Sequence, residues 1–156
     1  DRYYPFSSVE LFLSSENTLM INAPLVCDDT LQTNDIARIY PDGSFTILGR
    51  KDNVINSGGI KVQAEEIERL LQSSIPVPFV ITSVPDRRLG QAVTLLIEGQ
   101  MEISALGTKL ESVLASYYRP KYIYTVNHIP QTGNGKINRK ECRVLAESLQ
   151  LLGRQE

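Results

Sequence analysis

An α+β fold is predicted from residue 49 onward, a short mixed sheet flanked by helices, and a β-rich piece over residues 1–48 precedes it. Three observations carry this. Before Gly49 the chain reads as short apolar runs bounded by turn residues. After Gly49, runs of β-branched residues alternate with segments whose apolar positions recur at helical spacing. Finally, the β-rich piece is too small to bury much surface alone and should belong to a larger body.

The elements follow in order. Strands are predicted over 9–13, 19–25, 36–40 and 44–48, with Glu16-Asn17 and Pro41-Asp42-Gly43 as turns. Ala64, Ile67, Leu70 and Leu71 mark a helix. Residues 77–84 and 92–97 read as buried strands, because their apolar runs are β-branched and bounded by Pro, Asp and Gly. A second helix places Leu106, Leu110, Val113, Leu114 and Tyr117 on one face, with Gly107 costing it roughly 1 kcal/mol against Ala. It should stop before Pro120, which disfavours helical conformation at Arg119. Residues 121–129 read as a strand. Asn138, with Glu141 three residues on, is an N-cap opening a helix with Val144, Leu145, Leu149 and Leu152 inward.

Composition narrows the function. At 156 residues and 42% hydrophobic content the chain is sized for one domain or two small ones with an ordinary core. Its longest apolar runs, such as 93–97, fall far short of the roughly 20 residues of a membrane span. The opening Asp1-Arg2-Tyr3-Tyr4 lacks the form of a signal peptide, so a cytoplasmic location is expected. It also lacks an initiating Met, which points to a fragment of a longer enzyme. A net charge of -2 argues against a nucleic-acid-binding surface. Cys27 and Cys142 stand far apart with a single His128, a pattern that favours reduced structural thiols over a disulfide framework or a metal site.

Two segments carry chemistry. In Pro130-Gln131-Thr132-Gly133-Asn134-Gly135-Lys136, two glycines around a turn-forming Asn permit positive φ and close approach to a ligand, and Lys136 beyond them is a compact cation that could meet a phosphate. A hairpin turn with a solvated lysine has the same composition. Upstream lies Gly49-Arg50-Lys51-Asp52-Asn53-Val54-Ile55-Asn56-Ser57-Gly58-Gly59-Ile60-Lys61-Val62, followed by Gln63-Ala64-Glu65-Glu66-Ile67-Glu68. With Thr33-Asn34-Asp35, these segments resemble the carboxyl-terminal part of the adenylate-forming superfamily, which includes acyl-CoA synthetases, luciferases and peptide-synthetase adenylation domains. The resemblance covers roughly residues 20 to 145, with three motifs in the family's order.

The resemblance implies that residues 1–48 end a large N-terminal adenylation domain and that 49–156 form a mobile C-terminal domain. It implies ATP, Mg2+ and coenzyme A as substrates of a full-length enzyme, a small carboxylic acid as the group activated, and the missing N-terminal domain as partner. Lys136 matches the lysine that contacts acid and phosphate during adenylation, although Gln131 stands where a basic residue is common. Asp35 matches the carboxylate that takes the ribose hydroxyls, with Asn34 in place of the family's Gly, and Arg50 matches an arginine that also reaches the ribose. From the residues alone, Asp35 reads equally as a turn cap and Arg50 as half of a surface ion pair. Asp52 matches the hinge. Ser57, Gly58 and Gly59 match the wall of a pantetheine tunnel, and as residues they also fit an ordinary glycine turn. Within the superfamily the compact layout is most similar to the 2-succinylbenzoate:CoA ligases of menaquinone synthesis.

The remaining polar residues read as structural. Glu65, Glu66 and Glu68 complement a helix N-terminus, His128 is a packing or turn residue, and Lys61, Arg87 and Arg88 are solvated surface charge rather than contacts to CoA phosphates. Two other functions fit part of the pattern. An adenylation domain loading a carrier protein shares every motif. A non-catalytic α+β module binding RNA or protein fits the fold, though its strands lack the paired aromatics usual in RNA-binding sheets.

Overall fold

The computed structural model describes residues 1–153 and divides them into two units, one spanning Asp1–Asp52 and one starting at Asn53. In the first, strands β1 (Glu10–Leu13), β2 (Thr18–Asn22), β3 (Leu31–Ile39) and β4 (Phe45–Arg50) pair antiparallel in sequence order. The predicted 19–25 strand stops at Asn22: Pro24 has no N–H to give a ladder, and the N–H groups of Val26 and Cys27 donate to the Ala23 carbonyl instead. Strand β3 begins five residues before the predicted Ile36, so Asp35 lies inside a strand and caps no turn. Between the Thr18–Ile36 and Met20–Gln32 pairs, one residue of β2, Leu19, faces three of β3, which places Thr33-Asn34-Asp35 on a bulge. At the β3–β4 turn the Asp42 carboxylate accepts both the N–H and the hydroxyl of Ser44, and these bonds hold its pKa below the usual value.

The second unit is the α+β domain. Strands β5 (Val54–Ser57) and β6 (Ile60–Gln63) form a hairpin that leads into helix α1 (Ala64–Leu71). Strands β7 (Phe79–Asp86) and β8 (Gly90–Glu98) pair over their length, helix α2 (Ile103–Val113) follows, and β9 (Tyr122–Val126) joins β8 in parallel before helix α3 (Arg139–Gly153). The sheet is therefore mixed and five-stranded. Strand β8 is its axis. Val93, Leu95 and Ile97 pack with α1 and α2, whereas Ala92 and Leu96 pack with Cys142 and Ala146 of α3, so a run that is apolar apart from the buried Thr94 is buried on both faces.

Helix ends follow local chemistry. Arg119 is extended before Pro120, as its sequence position requires, but α2 has already stopped at Val113, and residues 116–118 form a separate 3-10 turn. The Arg119 guanidinium then donates to the carbonyls of Leu114 and Glu111, satisfying groups at the end of the helix. Tyr117 is thereby exposed and Val113 partly so, not core as expected. Asn138 does cap α3, accepting the Glu141 N–H at 3.2 Å. The inward stripe set by that cap is Cys142, Ala146 and Gln150, with Leu145 and Leu149 at its margin, while Val144 and Leu152 face outward. Two small residues let the helix approach the sheet, and they are not the ones a count of large apolar side chains selects. Cys142 is buried, which pushes its thiol pKa up to about 11, while Cys27 is exposed rather than structural.

Candidate functional site

Lys136 ends a short hairpin loop. Gln131 and Ile137 form an isolated antiparallel bridge, the Thr132 N–H donates to the Lys136 carbonyl at 2.7 Å, and the Gly135 N–H returns to the Thr132 carbonyl at 2.9 Å. Gly135 takes φ of +78°, which an L side chain adopts only at a cost; of the two glycines around Asn134 it is the one that uses this freedom. No side-chain hydrogen bond or ion pair holds the Lys136 ammonium among the described residues, and it is exposed.

The hairpin itself is well anchored. On the upstream side Ile129 is buried and its N–H donates to Glu98 Oε2 at 2.9 Å. Downstream, the Asn138 N–H donates to the Pro130 carbonyl, and α3 begins. An exposed ammonium thus extends from an anchored backbone. His128 is solvated, 3.8 Å from Glu98.

Asp35 and Arg50 are brought together in the first unit. They are cross-strand partners on β3 and β4, and Arg50 Nη1 donates to Asp35 Oδ1 at 2.9 Å. Both side chains keep solvent access, so the pair itself stabilises by no more than about 1 kcal/mol. One carboxylate oxygen carries this bond, and an ionised Asp has lone pairs enough to accept hydroxyl donors as well. The bulge presents Asp35 there, and the Thr33 hydroxyl supports it by accepting the Asp35 N–H while donating to the Leu19 carbonyl.

Asp52 lies in the 3-10 turn Lys51–Asn53 and is the last residue of the first unit. Ser57, Gly58 and Gly59 stand at the β5–β6 hairpin, where Ser57 pairs with Ile60 across a two-residue loop. Both glycines are left-handed, at +60° and +82°, as a tight hairpin of that length demands. The Gly58 N–H donates to the Leu89 carbonyl, tying the turn to the start of β8.

The glutamates of α1, expected to complement the helix dipole, each have a specific partner. Glu65 accepts from Asn53 and Gln63, Glu66 accepts the Tyr118 hydroxyl, and Glu68 pairs with Arg139. Arg139 was not singled out; an Arg three residues after the lysine loop was the available signal. Lys61, Arg87 and Arg88 are exposed. Among the described residues no cluster of His, Cys, Asp and Glu could hold a metal, and no helix is long and apolar enough to cross a membrane.

No protein-family model matches the chain. Among curated proteins it is 38% identical over 126 residues to triostin synthetase I of Streptomyces triostinicus, covering 78% of this chain and 24% of that protein. It is 33% identical over 113 residues to the 2-succinylbenzoate–CoA ligase of Lactococcus lactis, covering 72% and 25%. Among solved structures, the anthranilate CoA ligase AuaEII in complex with anthranoyl-AMP superposes with a TM-score of 0.74 over 95% of this chain and 35% of that one; at 22% identity this shows the fold. The chain spans about a quarter of the length of these curated relatives. In sequence the chain is thus similar over most of its own length to acyl-CoA and aryl-CoA ligases, and its α+β fold is that of the carboxyl-terminal region of adenylate-forming ligases.

Proposed function

We propose that this chain is the carboxyl-terminal part of an ATP-dependent acid:CoA ligase that forms an acyl-adenylate and then an acyl-CoA thioester. The observation that carries the reading is the Lys136 ammonium, exposed and without a side-chain partner among the described residues, on a hairpin whose backbone is anchored on both sides. Joining a carboxylate to the α-phosphate of ATP brings two anions together, and a positioned cation lowers that barrier by stabilising charge in the transition state. In the same reading Asp35 and Arg50 hold the ribose. Residues 1–48 close the large N-terminal domain, and 49–156 are the C-terminal domain that moves against it.

Asp52, in the turn where the first unit ends, is the hinge. One conformation presents Lys136 for adenylation, and the other presents Ser57, Gly58 and Gly59, whose bare backbone leaves room for the phosphopantetheine arm. Mg2+ accompanies ATP, the enzyme works in the cytoplasm, and this piece alone is inactive because the phosphate loop and the acid pocket lie elsewhere. The acid is taken to be 2-succinylbenzoate, the substrate of menaquinone synthesis, with support from the 33% identical relative of that name. A second reading puts a carrier-protein thiol in place of CoA; the 38% identity to triostin synthetase I, whose name is not that of a CoA ligase, favours it.

Pyrophosphate release by the full-length parent, with ATP, Mg2+ and a panel of carboxylic acids including 2-succinylbenzoate, tests the reading. Acid-dependent release followed by a CoA thioester is expected. Release without transfer to CoA would support the carrier-protein reading, and no release with any acid would leave a binding module. Lys136→Ala should slow acyl-adenylate formation by about 10²–10³-fold, the cost of one oriented charge-stabilising group. It should spare thioester formation from supplied acyl-adenylate; equal losses in both steps would sink the division of labour.

A further inference from the structure

From the geometry we infer that Glu68 and Arg139 are positioning residues for adenylation, acting through the lysine loop; this rests on the role proposed for Lys136. Arg139 opens α3, three residues after Lys136, and its guanidinium meets the Glu68 carboxylate in a fork: Nη2 to Oε1 at 2.6 Å and Nη1 to Oε2 at 3.2 Å. The pair joins elements far apart in sequence, α1 and the start of α3, and its side chains are only 15% and 27% exposed. It is also keyed to the sheet. Glu68 Oε2 accepts the Ile81 N–H of β7 at 3.0 Å, and Arg139 Nη1 reaches the Ile81 carbonyl at 3.4 Å.

The route from this clamp to the ammonium is short and continuous. Arg139 adjoins Asn138, whose N–H is held by the Pro130 carbonyl and whose own carbonyl accepts the Cys142 N–H; Ile137 bridges to Gln131, and Lys136 follows. The upstream half of the loop has its own anchor at Ile129, so the clamp fixes the half that bears the lysine. A bidentate Arg–carboxylate pair imposes an angle as well as a distance, which a single ammonium does not. Burial opposes the charge on Arg139 and the Glu68 carboxylate outweighs it, leaving its pKa raised. Orientation errors of about 1 Å away from the chemistry can cost roughly 10²-fold in rate.

The test uses the full-length parent with Glu68→Gln and Arg139→Lys, each step assayed separately. Acyl-adenylate formation is expected to fall by at least about tenfold in both variants, while thioester formation from supplied acyl-adenylate stays within about twofold of the parent. A merely structural pair would lower both steps in proportion to the folded fraction, and that result, or no loss in either step, overturns the inference. Should Glu68→Gln fail to fold, Arg139→Lys carries the same test, since it keeps the charge and loses only the fork. Lys136→Ala runs alongside. If it leaves adenylation intact, the role given to Lys136 fails; if it abolishes adenylation while the clamp variants do not, only the clamp's role fails.

Discussion

The two units use β-structure in opposite ways. In Asp1–Asp52 a four-stranded antiparallel meander buries little, with Leu19 and Ala37 as its buried apolar side chains among the described residues, while Tyr4, Phe6, Leu25 and Val26 are exposed. From Asn53 onward a mixed sheet is covered on both faces by helices, and β8 is apolar and buried along most of its length. The lesson concerns autonomy. A sheet needs a cover on its apolar face to offset the conformational entropy of ordering it, and the second unit supplies its own whereas the first does not.

Separating the units tests this most severely. Residues 53–156 expressed alone should melt cooperatively, and residues 1–52 alone should show no cooperative transition by circular dichroism; a sharp melt for the short piece would break the contrast. Within the intact chain, Leu96→Ala removes a side chain buried between β8 and α3 and should destabilise the second unit by about 2–5 kcal/mol in chemical denaturation. Leu31→Ala, at a half-exposed position of β3, should stay within about 0.5 kcal/mol.

A further contrast separates the units by pH. Asp86 accepts hydrogen bonds from Lys121 at 2.5 Å and from the N–H groups of Leu89 and Arg88, at the turn that starts β8. Lys121, then those two N–H groups, lower its carboxyl pKa from 3.8 to about 2. Because the folded value lies below the unfolded one, the contribution is complete above 3.8 and is lost as pH falls through about 2. Asp86→Asn should therefore lower the melting temperature of the second unit at neutral pH, with the difference from the parent closing near pH 2. A difference that stays constant down to that pH would show that the ionised form is not what stabilises.

Much of this architecture was legible in the chain because local signals and tertiary packing agree. The run 92–97 is apolar except for Thr94 and became the doubly buried β8, and Asn138 capped α3 as its type predicts. Burial along α3 was misread. Large apolar residues recur at helical spacing, but the sheet selects the stripe that fits closest, and Cys142 and Ala146 fit. The site was legible in part: Gly135, Gly58 and Gly59 announce positive φ through residue type alone. The Glu68–Arg139 pair was not, since its members are 71 residues apart and nothing local in either segment demands the other.

Strand β7 also lies at an open margin of its sheet, with β8 on one side only. An unpaired strand margin is a template on which a second molecule can add a strand, the first step toward aggregation. Here the Ile81 N–H and carbonyl are already taken by Glu68 and Arg139, Pro85 offers no N–H, and its carbonyl is occupied by Gln150. The Glu68–Arg139 contacts thus also blunt the margin against self-association, so solubility and the adenylation role proposed for this pair draw on the same side chains.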